Sequence, residues 1–187
     1  MALPSIPGVF LALALVALSP AKEDPGVPKE FRVRMAEYLK ARQQAIKDIP
    51  AVPAKSTPEQ IHAGQVAMFQ AVHAMRPNAQ QGSVFTADMQ EFVVKIVQSE
   101  MKGKDGQAAR GTTKQGNPAM ESPQGKLSVK VNTAYPEDAP LSSVPPTLLL
   151  RLPQLPKELD YRFIGRHLIL RDTGANMIVD YIPNVVP

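Results

Sequence analysis

Residues 159–182 read LDYRFIGRHLILRDTGANMIVDYI, and this stretch decides the fold. Three short apolar runs are separated by two sets of turn residues, which is the pattern of a three-stranded antiparallel meander. Tyr161–Ile164 and His167–Arg171 are rich in aromatic and branched residues, and only Gly165-Arg166 lies between them. Glycine at the first central position suits a type II′ hairpin turn, where φ must be positive. That turn predicts pairing of Ile164 with His167, Phe163 with Leu168, Arg162 with Ile169 and Tyr161 with Leu170. The second break, Asp172-Thr173-Gly174-Ala175, reads as a four-residue loop. Asp172 is expected to bond its own backbone there, and Gly174 to take a left-handed position. Closing that loop with Arg171 opposite Asn176 gathers Met177, Val179 and Tyr181 with Tyr161, Phe163, Leu168 and Leu170. These seven side chains alternate along their strands as one half-buried core face.

The opposite face would carry Arg162, Ile164, His167, Ile169, Arg171, Asn176, Ile178, Asp180 and Ile182, with His167 facing Asp180. Four isoleucines are too many for a freely solvated surface, and five polar side chains are too many for a dry core. Either a helix or the Pro-rich segment partly covers this face, or it receives a partner. In the second case Arg162, His167, Ile169, Arg171, Ile178 and Asp180 form the candidate binding surface.

Upstream, three helices are expected. From about Lys29 to Asp48, the apolar positions Phe31, Met35, Tyr38, Leu39, Ala45, Ile46 and Ile49 recur at helical spacing. Thr57, Pro58 and Gln60 announce the second helix as cap, first position and capping-box partner. Its stripe is Ile61, Met68, Phe69, Val72 and Met75, and it ends before Pro77. Thr86 is the expected cap of the third, whose stripe is Met89, Phe92, Val93, Ile96 and Val97. Gly103–Gly125 is polar and glycine-rich and reads as a mobile loop. Lys126–Thr133 alternates like a strand, and Ser143 is placed to cap a short helical turn at 147–152.

At the other end, Ile6–Leu18 is an apolar run followed by Ser19-Pro20-Ala21-Lys22. It is too short for a bilayer core of about 30 Å, but it fits a secretory signal peptide cut after Ala21. No Lys or Arg precedes Lys22, so a misassigned start or retention of the segment as a weak anchor stays open. The chain therefore divides into a signal peptide (1–21), a helical region (22–102), a mobile polar loop (103–125) and a β-rich region (126–187). Beyond the signal, the chain has the length of one domain of ordinary size. Its class is α+β: a small N-terminal bundle of about three helices and a C-terminal antiparallel β-meander. Export makes it periplasmic or extracellular, with no transmembrane helix after signal removal.

Composition narrows the chemistry. The chain has no cysteine, which removes disulfides, thiolate nucleophiles and zinc–thiolate sites. A net charge of +4 with scattered basic residues and no Trp argues against a nucleic-acid partner. Phosphate-loop motifs are missing, so no cofactor is expected. Glu59-x-x-His62 has the spacing of a metal-binding carboxylate helix. His73, however, lies about 16 Å further along the axis, too far to share one ion, so no metal site is assigned. His167 with Asp180 could form the orienting half of a triad, but no strained elbow holds a serine nucleophile.

LPKELDYRFIGRHLILRDTGANMIVDYIPNVVP, together with Arg76–Thr86 (RPNAQQGSVFT) and VNTAYPEDAPLSSVPPTLL, resembles a group of exported bacterial proteins with no assigned activity. The resemblance implies export and the domain organisation above. It also implies that aspartate is more usual at the position of His167, which weighs against catalysis there. It brings no cofactor or catalytic residue. The expectation is a non-catalytic binding or structural domain of the envelope or extracellular space, whose partner is an unspecified protein or ligand. The alternative is a hydrolase-like enzyme using His167 and Asp180 with an unidentified nucleophile.

Overall fold

The structure, a computed structural model, describes residues 26–102, 105–117, 129–136 and 141–187. The leader segment 1–21 lies outside the described residues. The element order is α1 (Lys29–Ala45), α2 (Pro58–Met75), α3 (Ala87–Glu100), α4 (Asp105–Lys114), a one-turn α5 (Pro146–Leu149), and the strands β1 (Leu159–Ile164), β2 (His167–Asp172) and β3 (Met177–Ile182). The class is α+β, with the helices N-terminal and an antiparallel sheet of order β1-β2-β3 at the C-terminus.

The first hairpin forms in the expected register, from Ile164 with His167 to Leu159 with Asp172. Gly165 has φ +58 while Arg166 has a negative φ, as a type II′ turn requires. The Asn117 side chain clamps this turn, donating to the Gly165 carbonyl at 2.9 Å and accepting its N–H at 2.6 Å.

The second hairpin departs from expectation. Asp172 pairs with Met177 and Arg171 with Ile178, then the register shifts so that Leu170 faces Asp180 and Leu168 faces Ile182. Val179 is the extra residue of a β-bulge, which turns the strand after it. Met177 and Val179 keep the expected core face, but Tyr181 leaves it, and Asp180 and Ile182 turn inward. The left-handed residue of the connecting loop is Asn176 (φ +47), not Gly174. Gly174 instead allows the close approach of two side chains. A Cβ there would lie 2.8 Å from Arg42 Nη2 and 3.3 Å from the Met68 sulfur. Gly174→Ala is expected to lose about 1–3 kcal/mol by overpacking, measured by urea unfolding, and a loss below about 0.5 kcal/mol would contradict this packing.

One core lies between the helices and the inner sheet face. Phe31 and Tyr38 of α1, Val72 of α2, and Met89, Val93 and Val97 of α3 join Tyr161, Phe163, Leu168 and Leu170 in a single cluster. Phe31, Phe85 and Tyr161 stack in a near-parallel ladder, with centroids 5.9 and 6.4 Å apart. The helices thus share the sheet's core rather than enclosing one of their own. The α2 cap forms as expected: Thr57 Oγ1 accepts the Gln60 N–H, and Gln60 Oε1 accepts the Thr57 N–H. Ile61, expected in the apolar stripe, is instead exposed. Thr86 occupies the N-cap of α3, but its hydroxyl is buried and makes no cap bond.

Two further expectations are corrected. Within the stretch read as a polar loop, α4 is helical and packs against α3. Its buried side is made of small residues such as Ala109 and Thr113, so no large apolar stripe marks it. The described part of the expected strand, 129–133, is not one. Asn132 instead adopts φ +62, and the chain from Asn132 to Tyr135 lies along the outer edge of β3. Asn132 N–H bonds Ile178 O at 2.9 Å, Ile178 N–H bonds Thr133 O at 2.9 Å, and Tyr135 N–H bonds Asn176 O at 2.8 Å. Pro145, not Ser143, precedes α5 as its N-cap.

Candidate functional site

The outer sheet face is covered at its centre. Tyr135 packs on Ile164, Ile169 and Ile178, with Val129 and Tyr181 at the rim. Of the six residues expected to form a binding surface, Ile169, Ile178, Asp180 and Arg171 are buried, and Arg162 and His167 are partly exposed. The covering reading is therefore the correct one for most of this face. The Pro-rich segment does the covering, because Tyr135 is delivered there by backbone bonding to the edge of β3.

Asp180 has crossed to the core side and no longer faces His167. One carboxylate oxygen accepts the N–H groups of Gly82 (2.9 Å) and Tyr181 (2.8 Å), and the other those of Val84 (2.7 Å) and Phe85 (2.8 Å). Burial pushes its carboxyl pKa up, and these donors offset part of that rise. The loop between α2 and α3 is folded around this one side chain. His167 accepts the Asn184 N–H on Nδ1 at 3.3 Å and meets the Tyr181 ring edge-on at 5.8 Å. Burial and then the Arg166 charge lower its pKa. The two halves of the expected dyad thus have unrelated partners.

A second buried carboxylate joins the helices to the meander. Asp172 Oδ2 accepts the Tyr38 hydroxyl at 2.7 Å and Arg42 Nε–H at 2.5 Å, while Oδ1 accepts Arg42 Nη2 at 3.2 Å. Oδ1 also accepts the Ala175 N–H at 2.9 Å, the expected Asx bond within the loop. Burial, and then the neighbouring Asp172, push the Tyr38 phenol far up, so it remains a neutral donor. The Arg76 guanidinium lies over the Tyr38 ring, 5.0 Å from its centroid. It donates to Val179 O (3.1 Å), Asn132 Oδ1 (3.2 Å) and Ser83 Oγ (3.1 Å). These contacts bring α1, α2, the α2–α3 loop and β3 together. They also flank a cleft of about 360 Å3 that contains Arg34, Glu37 and Tyr38.

On the outer side, Asp160 holds two arginines. Arg162 donates Nε and Nη2 to Oδ2 at 2.9 and 2.8 Å, and Arg171 donates Nε to Oδ1 at 3.1 Å and Nη2 to Oδ2 at 2.8 Å. Arg171 continues to Asn176 and lies over the Tyr135 ring, which makes it part of the cover. Arg162 donates Nη1 to Ser142 O at 3.0 Å and borders a cleft of about 430 Å3. Along that cleft run Leu159–Arg162 of β1, facing Ser143, Val144, Leu149, Pro153, Gln154 and Leu155. Comparison with protein-family models, curated proteins and solved structures finds no match.

Glu59 and His62 are both exposed on α2, and among the described residues no group of three His, Asp or Glu is placed to share a metal ion. No helix among them is long and apolar enough to cross a membrane. Tyr38, Arg42 and Asp172 were missed as a set because about 130 positions separate the helix from the turn. One signal was present: Arg42 lies four residues beyond Tyr38 on α1, and so on the same face.

Proposed function

We propose that this chain is a non-catalytic binding domain of an exported protein, acting in the envelope or the extracellular space. The export component rests on the apolar leader pattern and on the resemblance of the C-terminal run, Arg76–Thr86 and the 131–149 stretch to exported bacterial proteins. The observation that carries the non-catalytic component is the separation of His167 from Asp180. A His–carboxylate dyad needs the two side chains within hydrogen-bond reach of each other, and Asp180 is instead engaged by four backbone N–H groups. Binding is supported by the cleft along β1, which Arg162, one of the six expected surface residues, helps to line. That cleft has the volume of an ordinary ligand site and mixes apolar walls with a few polar tips.

Ester, peptide and phosphate substrates offered to wild type and His167→Ala should be turned over by neither above the buffer rate. A wild-type rate lost in His167→Ala would overturn the proposal in favour of the hydrolase reading.

A further inference from the structure

We propose that the outer edge of β1 accepts an extended segment of another polypeptide by strand addition, centred on Tyr161. This rests on the binding-domain reading above and names the class of partner.

The turn at Gly165-Arg166 dictates which backbone groups of β1 point outward. In a two-residue hairpin the residues flanking the turn exchange both backbone bonds, and alternate residues then point their N–H and C=O groups away from the partner strand. In the observed register Ile164, Arg162 and Asp160 face β2, so Leu159, Tyr161 and Phe163 face outward. Leu159 N–H is taken by Pro156 O at 2.9 Å, and Phe163 N–H by Ser142 Oγ at 2.6 Å. Tyr161 N–H, between them, has no acceptor among the described residues. A backbone donor at a buried position almost always has a partner, and Tyr161 is 5% exposed. The opposite sheet edge is treated differently, since Asn132–Tyr135 closes it. Among the described residues, one edge is covered by the chain itself and the other is open at its middle.

The open stretch forms one side of the 430 Å3 cleft. Ser143, Val144 and Pro153–Leu155 line the rest of it. An incoming strand would exchange both backbone bonds with Tyr161 and alternate its side chains across the sheet plane. Val144, Leu149 and Leu155 offer apolar contact on one side. Leu149 is 46% exposed, so this apolar lining is open to solvent. At the polar end, Arg162 commits Nε and Nη2 to Asp160 and one Nη1 hydrogen to Ser142. One hydrogen on each Nη remains for an acceptor. The partner segment is therefore apolar at alternate positions, with an acidic side chain near Arg162.

The test uses a displayed library of linear peptides, about ten residues long, selected against the purified protein. Enriched peptides should slow hydrogen exchange at the Tyr161 amide, and N-methylation at the peptide's central residue should weaken binding about tenfold or more. Leu149→Lys, at an exposed position outside the core, should also weaken binding while leaving the circular dichroism spectrum unchanged. Enriched peptides that leave Tyr161 exchange unchanged, or that tolerate N-methylation, would overturn the edge assignment while the binding-domain reading stood. Failure to enrich any peptide would overturn the edge assignment as well. Protection of Tyr161 that grows with protein concentration alone would make a second copy the occupant and overturn the assignment to a foreign strand. Catalysis, which would sink the underlying reading, is detected separately by the His167→Ala comparison.

Discussion

Asp180→Ala should destabilise the fold by about 4 kcal/mol or more. The side chain is fully buried, and each of its oxygens accepts two backbone N–H groups. Alanine leaves four backbone donors without the acceptor they share. An unsatisfied buried donor costs about 1–3 kcal/mol, and bonds to charged groups lie at the upper end of the range. The costs are not additive, because the loop can relax, so the expectation is less than four times the single value. Asp180→Asn keeps one accepting oxygen and turns an NH2 group toward the other two donors, and its loss should fall between wild type and alanine. Urea unfolding followed by circular dichroism checks both variants. A loss below about 1 kcal/mol for alanine would show that Asp180 does not organise the 82–85 loop.

The second large effect is expected at Asp172. Asp172→Ala strands the buried Arg42 guanidinium and the Tyr38 hydroxyl and removes the Asx bond to Ala175. Removing one partner of a buried ion pair costs about 3–5 kcal/mol, mostly because the other charge is left uncompensated. Arg42 shows the same coupling from its own side: burial works against its charge, and the Asp172 carboxylate, with smaller help from Tyr38 and Glu158, outweighs it. Tyr38→Phe removes one donor and no charge, and should cost about 1 kcal/mol. In the double variant the Tyr38 penalty should largely disappear, since its acceptor is already gone. Full additivity of the two losses would mean that the residues do not share one site.

Legibility in the sequence tracks the range of the interactions involved. Gly165-Arg166 specifies its turn locally, and all six β1–β2 pairs are set by it. The α2 start was equally local, since Thr57, Pro58 and Gln60 lie within one turn. The bulge at Val179 had no such marker, because the run Met-Ile-Val-Asp-Tyr-Ile contains neither glycine nor proline. Its cause is distant: Asp180 turns inward to meet the N–H groups of a loop almost a hundred residues earlier. That one displacement also removed Tyr181 from the core face and separated the expected dyad. Gly174 was misread for a related reason. Its lack of a side chain makes room for Arg42 and Met68, and a glycine needed for close approach looks in sequence like one needed for a turn. The helix α4 escaped notice because small residues bury it, and periodicity responds to large apolar ones.

The open edge of β1 could have been located once the first hairpin was read, because the turn already dictates which residues point outward. Its importance depends on which edges the rest of the chain covers. Asn132–Tyr135 reaches β3, and Ser142 reaches Phe163, through long-range bonds with no sequence periodicity.

Amide hydrogen exchange of the free protein, resolved residue by residue, tests the bulged meander and its open edge together. The loop amides of Val84 and Phe85 should be protected like strand amides, because Asp180 holds them, while Tyr161 should exchange much faster than its neighbour Arg162. Rapid exchange at Val84 and Phe85, or protection at Tyr161 equal to that at Arg162, would contradict it.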